Sequence, residues 1–490
     1  MLLATAWMSD DAFITLRVID NFIHGYGLRY NVIERVQVFT HPLWMMFLTP
    51  FYVLTREPLV TTMLVSVAVS LGAFWLLAAR IAKDIGYGCL LVLLAVASSA
   101  IYKFSTSGLE TPLTFMLLAL LVWQLYRTEK VWIPAGIVGL LLLNRLDLAL
   151  LVGPVAAYLL LRAKGQRIRI ALAVALPELV WMVFSVIYYG APFPNTAYAK
   201  LGTGFGAAEL MLRGLGYTRD FAFHDPLLVL IIGKAVFDAL RSREWRTILL
   251  GSGIILYIAY IIIIGGDFMS GRFFAPPGFL ALCLLAREPM PQWLAKQAAL
   301  ISLIAFVALG VLLEVRVMEK PIPDVPDSGI VDERRFYYPG NGLISILKNW
   351  AEAGHEPVHR LGQKGEELKA EAQSLGKPVV AIKSAVGMVG YYAGPSVHIF
   401  DYLALTDPFL ARLPAIPGAR VGHYQRKLPP GYYETVINYP SPTTDIVALR
   451  PLLNDVILAT RAPLFADGRW GAIERLTFGH YNWIYEAELY

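Results

Sequence analysis

The sequence predicts a polytopic α-helical membrane protein of about 10–11 spans, followed by a soluble, extracytoplasmic α/β domain. Three observations predict it. Of the 490 residues, 57% are hydrophobic and only 16% are Asp, Glu, Lys or Arg, against about 25% charged in ordinary soluble domains. Apolar runs of spanning or near-spanning length recur at 59–80, 86–102, 111–126, 131–144, 147–161, 168–189, 226–240, 247–264, 274–287 and 297–315. Beyond residue 316 hydropathy falls and charge rises through Glu319-Lys320-Pro321-Ile322-Pro323-Asp324-Val325-Pro326-Asp327, a linker by composition. Residues 1–316 are therefore expected to form the membrane domain, with an outward loop at 9–58, and residues 317–490 the outer domain.

Several runs are shorter than the ~20 residues an upright helix needs, so their ends are soft. His41–Leu54 is a further apolar stretch, read as a juxtamembrane or re-entrant helix. Met1–Met8 is apolar but reaches only about 12 Å as a helix, against a hydrocarbon core of about 30 Å. Either a first helix is truncated here, with its start upstream, or this end is a stub packed on its neighbours; a truncated start is the favoured expectation. In the last segment, Gly342–Ala353 and Gly362–Ser374 carry helical periodicity. Val379–Lys383 and His398–Asp401 read as strands, with a helix at Ser384–Tyr392 between them, a βαβ-like unit.

Orientation follows from the linkers. Those rich in Arg and Lys are Arg80–Asp84, Arg127–Lys130, Arg162–Arg169, Arg241–Arg246 and Arg287–Lys296. They alternate with the others, so the positive-inside rule puts them all in the cytoplasm. The segment before residue 59, Lys103–Glu110, Asn144–Asp147, Gly190–Asp225 and Gly265–Phe273 then face outward. The unusual polar residues fall on that side.

The net charge of +5 is no sign of nucleic-acid binding, because the basic residues sit in short loops where they fix topology. Cys89 and Cys283 lie inside apolar runs, which leaves neither a disulfide framework nor a thiolate metal site. His41, His224, His423 and His480 lack metal-ligand spacing, and no protein-built zinc site is expected. No phosphate-cradling loop, nucleophile elbow or dinucleotide fingerprint occurs, so nothing points to ATP hydrolysis.

Asp10 and Asp11 are the first candidates for chemistry. A carboxylate pair is costly beside hydrocarbon, so it is expected to face a wet cavity. One acid could act as general base, with the second orienting it or raising its pKa. Alternatively, Asp10 caps a helix and Asp11 sits in its first turn. If 10–24 is helical, Asp10, Arg17 and His24 follow at seven-residue spacing on one face. The stretch His24-Gly25-Tyr26-Gly27-Leu28-Arg29-Tyr30-Asn31 suggests a tight turn, with Tyr26 and Tyr30 available to stack on a sugar or to sit in an interfacial belt.

Arg145, Lys200 and Arg272 are cations in outward linkers, against the orientation bias. They could clamp a phosphate, or pair internally, Arg145 with Asp147 and Arg272 with Asp267. Glu110 could cap the helix that begins beside Pro112, or contact substrate, as could Asn195 and Asp267. The acidic loops could hold one divalent cation together with a phosphate, though none is required. Gly431-Tyr432-Tyr433 and Trp470 could contact carbohydrate or build a core.

These residues resemble the GT-C glycosyltransferases, and most closely the bacterial terminal β-(1→2) arabinofuranosyltransferases. The resemblance rests on Asp10-Asp11-Ala12-Phe13-Ile14 with Arg17, Asn21 and His24-Gly25-Tyr26-Gly27-Leu28. It continues in Ser107-Gly108-Leu109-Glu110-Thr111-Pro112, Pro194-Asn195-Thr196 with Lys200, Gly265-Gly266-Asp267-Phe268 with Arg272, and Asp401-Tyr402-Leu403-Ala404-Leu405-Thr406-Asp407-Pro408. It implies a GT-C-like catalytic domain in a bacterial inner membrane with its site on the periplasmic side. It also implies a polyprenyl-phosphate-linked donor, arabinofuranose as the sugar, inversion in a single displacement, and an acid of the opening pair as base. The acceptor would be an extracytoplasmic glycan, lipopolysaccharide or glycoprotein. The competing readings are a transporter or flippase for a lipid-linked sugar, which would carry charges deep within spans and paired halves, and a non-catalytic envelope scaffold.

Overall fold

The computed structural model describes residues 1–490 apart from 164, 202, 293–303, 305–307, 309–325, 327, 355, 421, 438–441 and 486–490. The expected run at 297–315 and the linker at 319–327 thus lie almost wholly outside the described residues. By internal contacts the chain forms two compact units, and neither follows the boundary at residue 316. The first is Met1–Ser9, Glu57–Glu178 and Ala207–Leu347; the second is Asp10–Arg56, Leu179–Gly206 and Lys348–Tyr490.

The first unit is helical, and four of its described helices begin where a side chain supplies a cap. The Glu57 carboxylate accepts from the Leu59 and Thr61 amides, with Pro58 in the first turn. Asp84 and Asp225 cap Ile85–Ala97 and Pro226–Arg241 in the same way. The 86–102 run is not one helix. Ser98 takes an extended backbone, ends Ile85–Ala97, and caps Ser99–Phe104 through Oγ. Its hydroxyl also donates to the buried Asp225 at 2.7 Å. A serine with a buried carboxylate to serve gains more by breaking the helix than by continuing it.

Among the described residues, three helices are long and apolar enough to cross a membrane: Pro58–Ile81, Arg167–Tyr189 and Trp245–Ile263. The other expected runs among the described residues fold as shorter helices. Thr111–Arg127 has 17 residues and Trp132–Asn144 has 13, so they rise only about 20–25 Å. Of these runs, 86–102 is cut by the polar break at Ser98. Helix contacts are close. At Gly253 of Trp245–Ile263, an added Cβ would lie 1.9 Å from the Leu151 carbonyl oxygen on Ala149–Arg162. Only hydrogen fits there, and backbone-to-backbone packing takes the place of side-chain burial.

The second unit holds the predicted βαβ. Strand β1 (Val379–Lys383) pairs in parallel with β2 (Val397–Asp401), from Val379 opposite Val397 to Lys383 opposite Asp401. The Gly387–Ala393 helix connects them. The helices expected at 342–353 and 362–374 appear as Leu343–Ala353 and Arg360–Leu375. Among the described residues the sheet has two strands. The α/β expectation for the C-terminal segment therefore narrows to this single crossover, packed with helices. Phe400, Phe409, Leu410, Tyr432, Leu452 and Val456 form its core. Residues 10–56 join this unit through two helices, Asp10–Ile23 and Pro42–Thr55, the latter where the juxtamembrane or re-entrant helix is expected. Between them, Gly25 and Gly27 take positive φ at +85° and +86°, as the tight turn requires.

Gly253→Ala should lower stability by about 1–3 kcal/mol, the usual cost of forcing extra volume into a packed contact. Thermal unfolding of the purified chain checks this, and an unchanged midpoint would contradict the packing account.

Candidate functional site

The Asp10–Ile23 helix is a clamp. Asp10 is buried, and its two oxygens accept the amide hydrogens of Gly387 and Met388, each at 2.8 Å. Those amides open the Gly387–Ala393 helix, whose own cap residue, Val386, offers no side-chain acceptor. Seven residues on, the buried Arg17 reaches the other end of the same helix. Its guanidinium donates to the carbonyls of Gly390 (2.6 Å), Gly394 (3.3 Å), Val397 (2.7 Å) and Tyr30 (2.8 Å). It also lies over the Tyr30 ring, 4.4 Å from the centroid. Seven residues of helix rise about 10.5 Å, which matches the seven-residue length of Gly387–Ala393. An acid therefore meets the positive end of the short helix and a base its negative end.

Two glycines make the contact possible. A Cβ on Gly387 would lie 1.8 Å from the Asp10 carbonyl oxygen, and one on Gly390 would lie 2.2 Å from the Tyr30 hydroxyl and 2.8 Å from Arg17 Nη1. The Tyr30 hydroxyl donates to the Val386 carbonyl at 2.6 Å. Asn31 pairs with the Ile399 backbone in both directions. Burial pushes the Asp10 carboxyl up to about 6, against the pull of the two amides and with a smaller push from Asp11. Asp10 does act as a helix cap, but for a helix almost four hundred residues away rather than for its own. Asp11, beside it, is half-buried.

The other predicted residues of this unit divide by exposure. His24 is exposed and bonds to Asp20 one turn back. Tyr26 is 41% exposed. Asn195 is buried, and its amide donates to the carbonyls of Ala404, Leu405 and Asp407. Those residues belong to a loop already wound around Asp401, which accepts from the Leu403, Leu405 and Thr406 amides. The Asp401–Pro408 run is thus a carboxylate-centred loop that Asn195 latches. Lys200 is half-buried on the Asn195–Leu201 helix. Tyr432 is core, donating its hydroxyl to Asp407, whereas Trp470 is 45% exposed.

The first unit gathers the remaining four. Glu110 is fully buried and shared by two arginines: Arg145 Nη1 at 2.9 Å and Arg272 Nη2 at 3.6 Å. Arg145 also grips Asp147 with both edges of its fork, Nε to Oδ1 at 2.8 Å and Nη2 to Oδ2. The Tyr257 hydroxyl holds Asp147 in turn at 2.9 Å. Arg272 faces Asp267 at 3.7 Å. The internal pairings of Arg145 with Asp147 and Arg272 with Asp267 are therefore both present. Glu110 occupies the cap position of Thr111–Arg127 without making a cap bond. It serves the arginines instead, and Asn144 fills the turn by donating to the Glu110 carbonyl and Thr114 Oγ1. In the same unit Ser9 donates to the Ser107 carbonyl through its amide, at 3.0 Å.

Among the described residues, no three His, Cys, Asp or Glu side chains gather as a metal site. Tyr30 and Asn31 are fastened to Val386 and Ile399, a role with no sign in the sequence, and Gly387 and Gly390 were not among the residues singled out there. The spacing Gly387-Met388-Val389-Gly390 was the available signal, since small residues one turn apart on a short helix mark a close approach.

No family model matches the chain. Two curated proteins named terminal β-(1→2)-arabinofuranosyltransferase are similar along most of it. The one from Mycobacterium tuberculosis is 27% identical over 86% of this chain and 81% of its own length. The one from Corynebacterium glutamicum is 26% identical over 85% and 72%. Among solved structures, ArnT from Cupriavidus metallidurans bound to undecaprenyl phosphate aligns at a TM-score of 0.49 with 16% identity, covering 81% of this chain and 83% of that one. Its apo form aligns at 0.48 with 18% identity, covering 83% and 84%. The resemblance read from the motifs thus has counterparts over more than four-fifths of the sequence.

Asp10→Asn keeps one acceptor and turns a donor toward an amide. It should cost about 1–3 kcal/mol, seen as a lower midpoint in thermal unfolding. The cost should depend on pH. A carboxyl that titrates near 6 folded and 3.8 unfolded holds its proton more tightly when folded, so its contribution falls as pH rises through that window. The gap between wild type and Asp10→Asn should accordingly be widest near pH 4 and narrow by pH 7. A gap that widens with pH would contradict the raised value.

Proposed function

We propose that the chain is an integral-membrane, inverting glycosyltransferase that moves arabinofuranose from a polyprenyl-phosphate donor to an extracytoplasmic glycan or glycoconjugate. The observation that carries this reading is the sustained likeness to two arabinofuranosyltransferases, over 85–86% of the chain. The chemistry of the candidate residues suits the reaction. The leaving group is a phosphate already bearing charge, so the enzyme need not protonate it. It needs one base and cations that favour the departing anion.

Asp11 is the base in this proposal. Both oxygens of Asp10 are committed to backbone amides, which leaves its neighbour for proton transfer. Asp11 takes the acceptor hydroxyl proton as the new bond to the anomeric carbon forms and the bond to the phosphate oxygen breaks. Polyprenyl phosphate leaves with the electron pair. Lys200 and Arg272 are the cations assigned to the donor phosphate. Arg145 has both fork edges on Asp147 and a further bond to Glu110, so it holds that network in place. Tyr26, exposed beside two glycines, is assigned to a sugar face. In this proposal the protein sits in the cytoplasmic membrane with the acidic pair on the side away from the cytosol, a reading supported by the alternation of basic linkers.

Membranes containing the chain, incubated with labelled polyprenyl-phospho-arabinofuranose and glycan acceptors, should yield a new arabinosyl linkage. Asp11→Asn should reduce transfer at least about a thousandfold, in the range seen when one essential group of a catalytic pair is lost, at unchanged expression. Full activity in Asp11→Asn would end the assignment. Lys200→Ala and Arg272→Ala should each raise KM for the donor by about tenfold, about 1.4 kcal/mol. Unchanged donor KM in both would remove them from phosphate binding.

A further inference from the structure

The second unit contains a small, partly open cleft lined by Arg35, Gln37, Tyr189, Asn195, Arg412 and Thr460 together with apolar side chains. No Asp or Glu lines it, and neither do Arg145, Lys200 or Arg272. Arg35 is buried and gives Nε to the Tyr188 carbonyl at 2.9 Å and Nη2 to that of Ala462. Arg412 gives Nη1 to the Pro408 carbonyl at 2.7 Å and lies over the Tyr198 ring at 4.7 Å. Among the described residues neither arginine has a carboxylate partner. The Nε of Arg412 and the hydroxyl of Tyr189, a residue only 3% exposed, are buried without any hydrogen-bond acceptor.

Asp407, the carboxylate whose field reaches Arg412, is spent on the Phe409 and Leu410 amides and the Tyr432 hydroxyl. Burial and the neighbouring Arg469 and Arg29 push Arg35 down to about 10. Two arginines, two idle donors and no acid make a demand for a compact anion with several acceptor oxygens. Guanidinium forks meet that demand best with phosphate geometry. Tyr189 and Gly190 close the apolar Arg167–Tyr189 helix, whose Leu179, Val180 and Val183 are exposed. A phosphate at this helix end would lie at headgroup depth if the helix crosses a bilayer.

We infer that the cleft formed by Arg35, Tyr189 and Arg412 is an anion site for a phosphate group, with a membrane phospholipid headgroup as its natural source. The site goes beyond the donor-phosphate role given to Lys200 and Arg272. The test uses the full chain purified in detergent. Binding of radiolabelled inorganic phosphate is measured at equilibrium, and binding of phosphatidylglycerol is measured by native mass spectrometry. Arg412→Gln and Tyr189→Phe are compared with wild type at matched thermal midpoints; the second variant keeps the ring and serves if the first fails to fold. Each should weaken binding of phosphatidylglycerol by about fivefold or more, a loss of about 1 kcal/mol. Weakened binding of both probes assigns the site to the phosphate group itself, and weakened binding of the lipid alone assigns it to a headgroup. Binding of neither probe, or binding that both variants leave unchanged, overturns the inference.

Discussion

A short helix held at both ends by one longer helix is the constraint on which the second unit depends. Asp10 supplies acceptors where Gly387–Ala393 begins, and Arg17 supplies donors where it ends. Seven residues alone make a marginal helix in water. Here the missing partners come from side chains placed at the same spacing on the neighbour. The crossover between β1 and β2 is thereby fixed, and Tyr30 and Asn31 continue the attachment to Val386 and Ile399. Removing a methyl group's worth of space at Gly387 or Gly390 would part the two helices, because the obstructing atoms are backbone, a buried ring and a guanidinium.

The same constraint separates the roles of two adjacent acids. A carboxylate bound to two amides inside a packed unit is a structural group, whatever its pKa. Asp11, beside it, is half-buried and follows it in the first turn of the same helix. In the first unit, polar residues are arranged on a different principle. Glu110 is buried, so it must be paired, and it is paired twice. Arg145 is anchored through Asp147 and Tyr257, and Arg272 faces Glu110 and Asp267 at 3.6 and 3.7 Å.

Much of this was legible in the sequence. Helical periodicity after Asp10 put Asp10 and Arg17 on one face, and alternation at 379–383 and 398–401 located both strands. The partners of Asp10 and Arg17 were not legible, because contacts across more than 370 residues leave no local period. The span lengths were overread for a related reason. Hydropathy sums over a window cannot register that Ser98 serves Asp225 and so ends a helix. The division at residue 316 rested on composition, whereas compactness also follows burial, which drew residues 10–56 into the second unit. The four residues around Glu110 were each singled out, but their mutual pairing was one of two open readings. Arginine spacing alone does not distinguish a clamp on a ligand from a clamp on a neighbour.

Hydrogen–deuterium exchange across residues 385–393 tests the division of labour between the two acids most directly. Asp10→Asn should strip protection from the Gly387 and Met388 amides, and Asp11→Asn should leave it at the wild-type level. Protection that survives in Asp10→Asn, or that is lost equally in Asp11→Asn, would contradict the account.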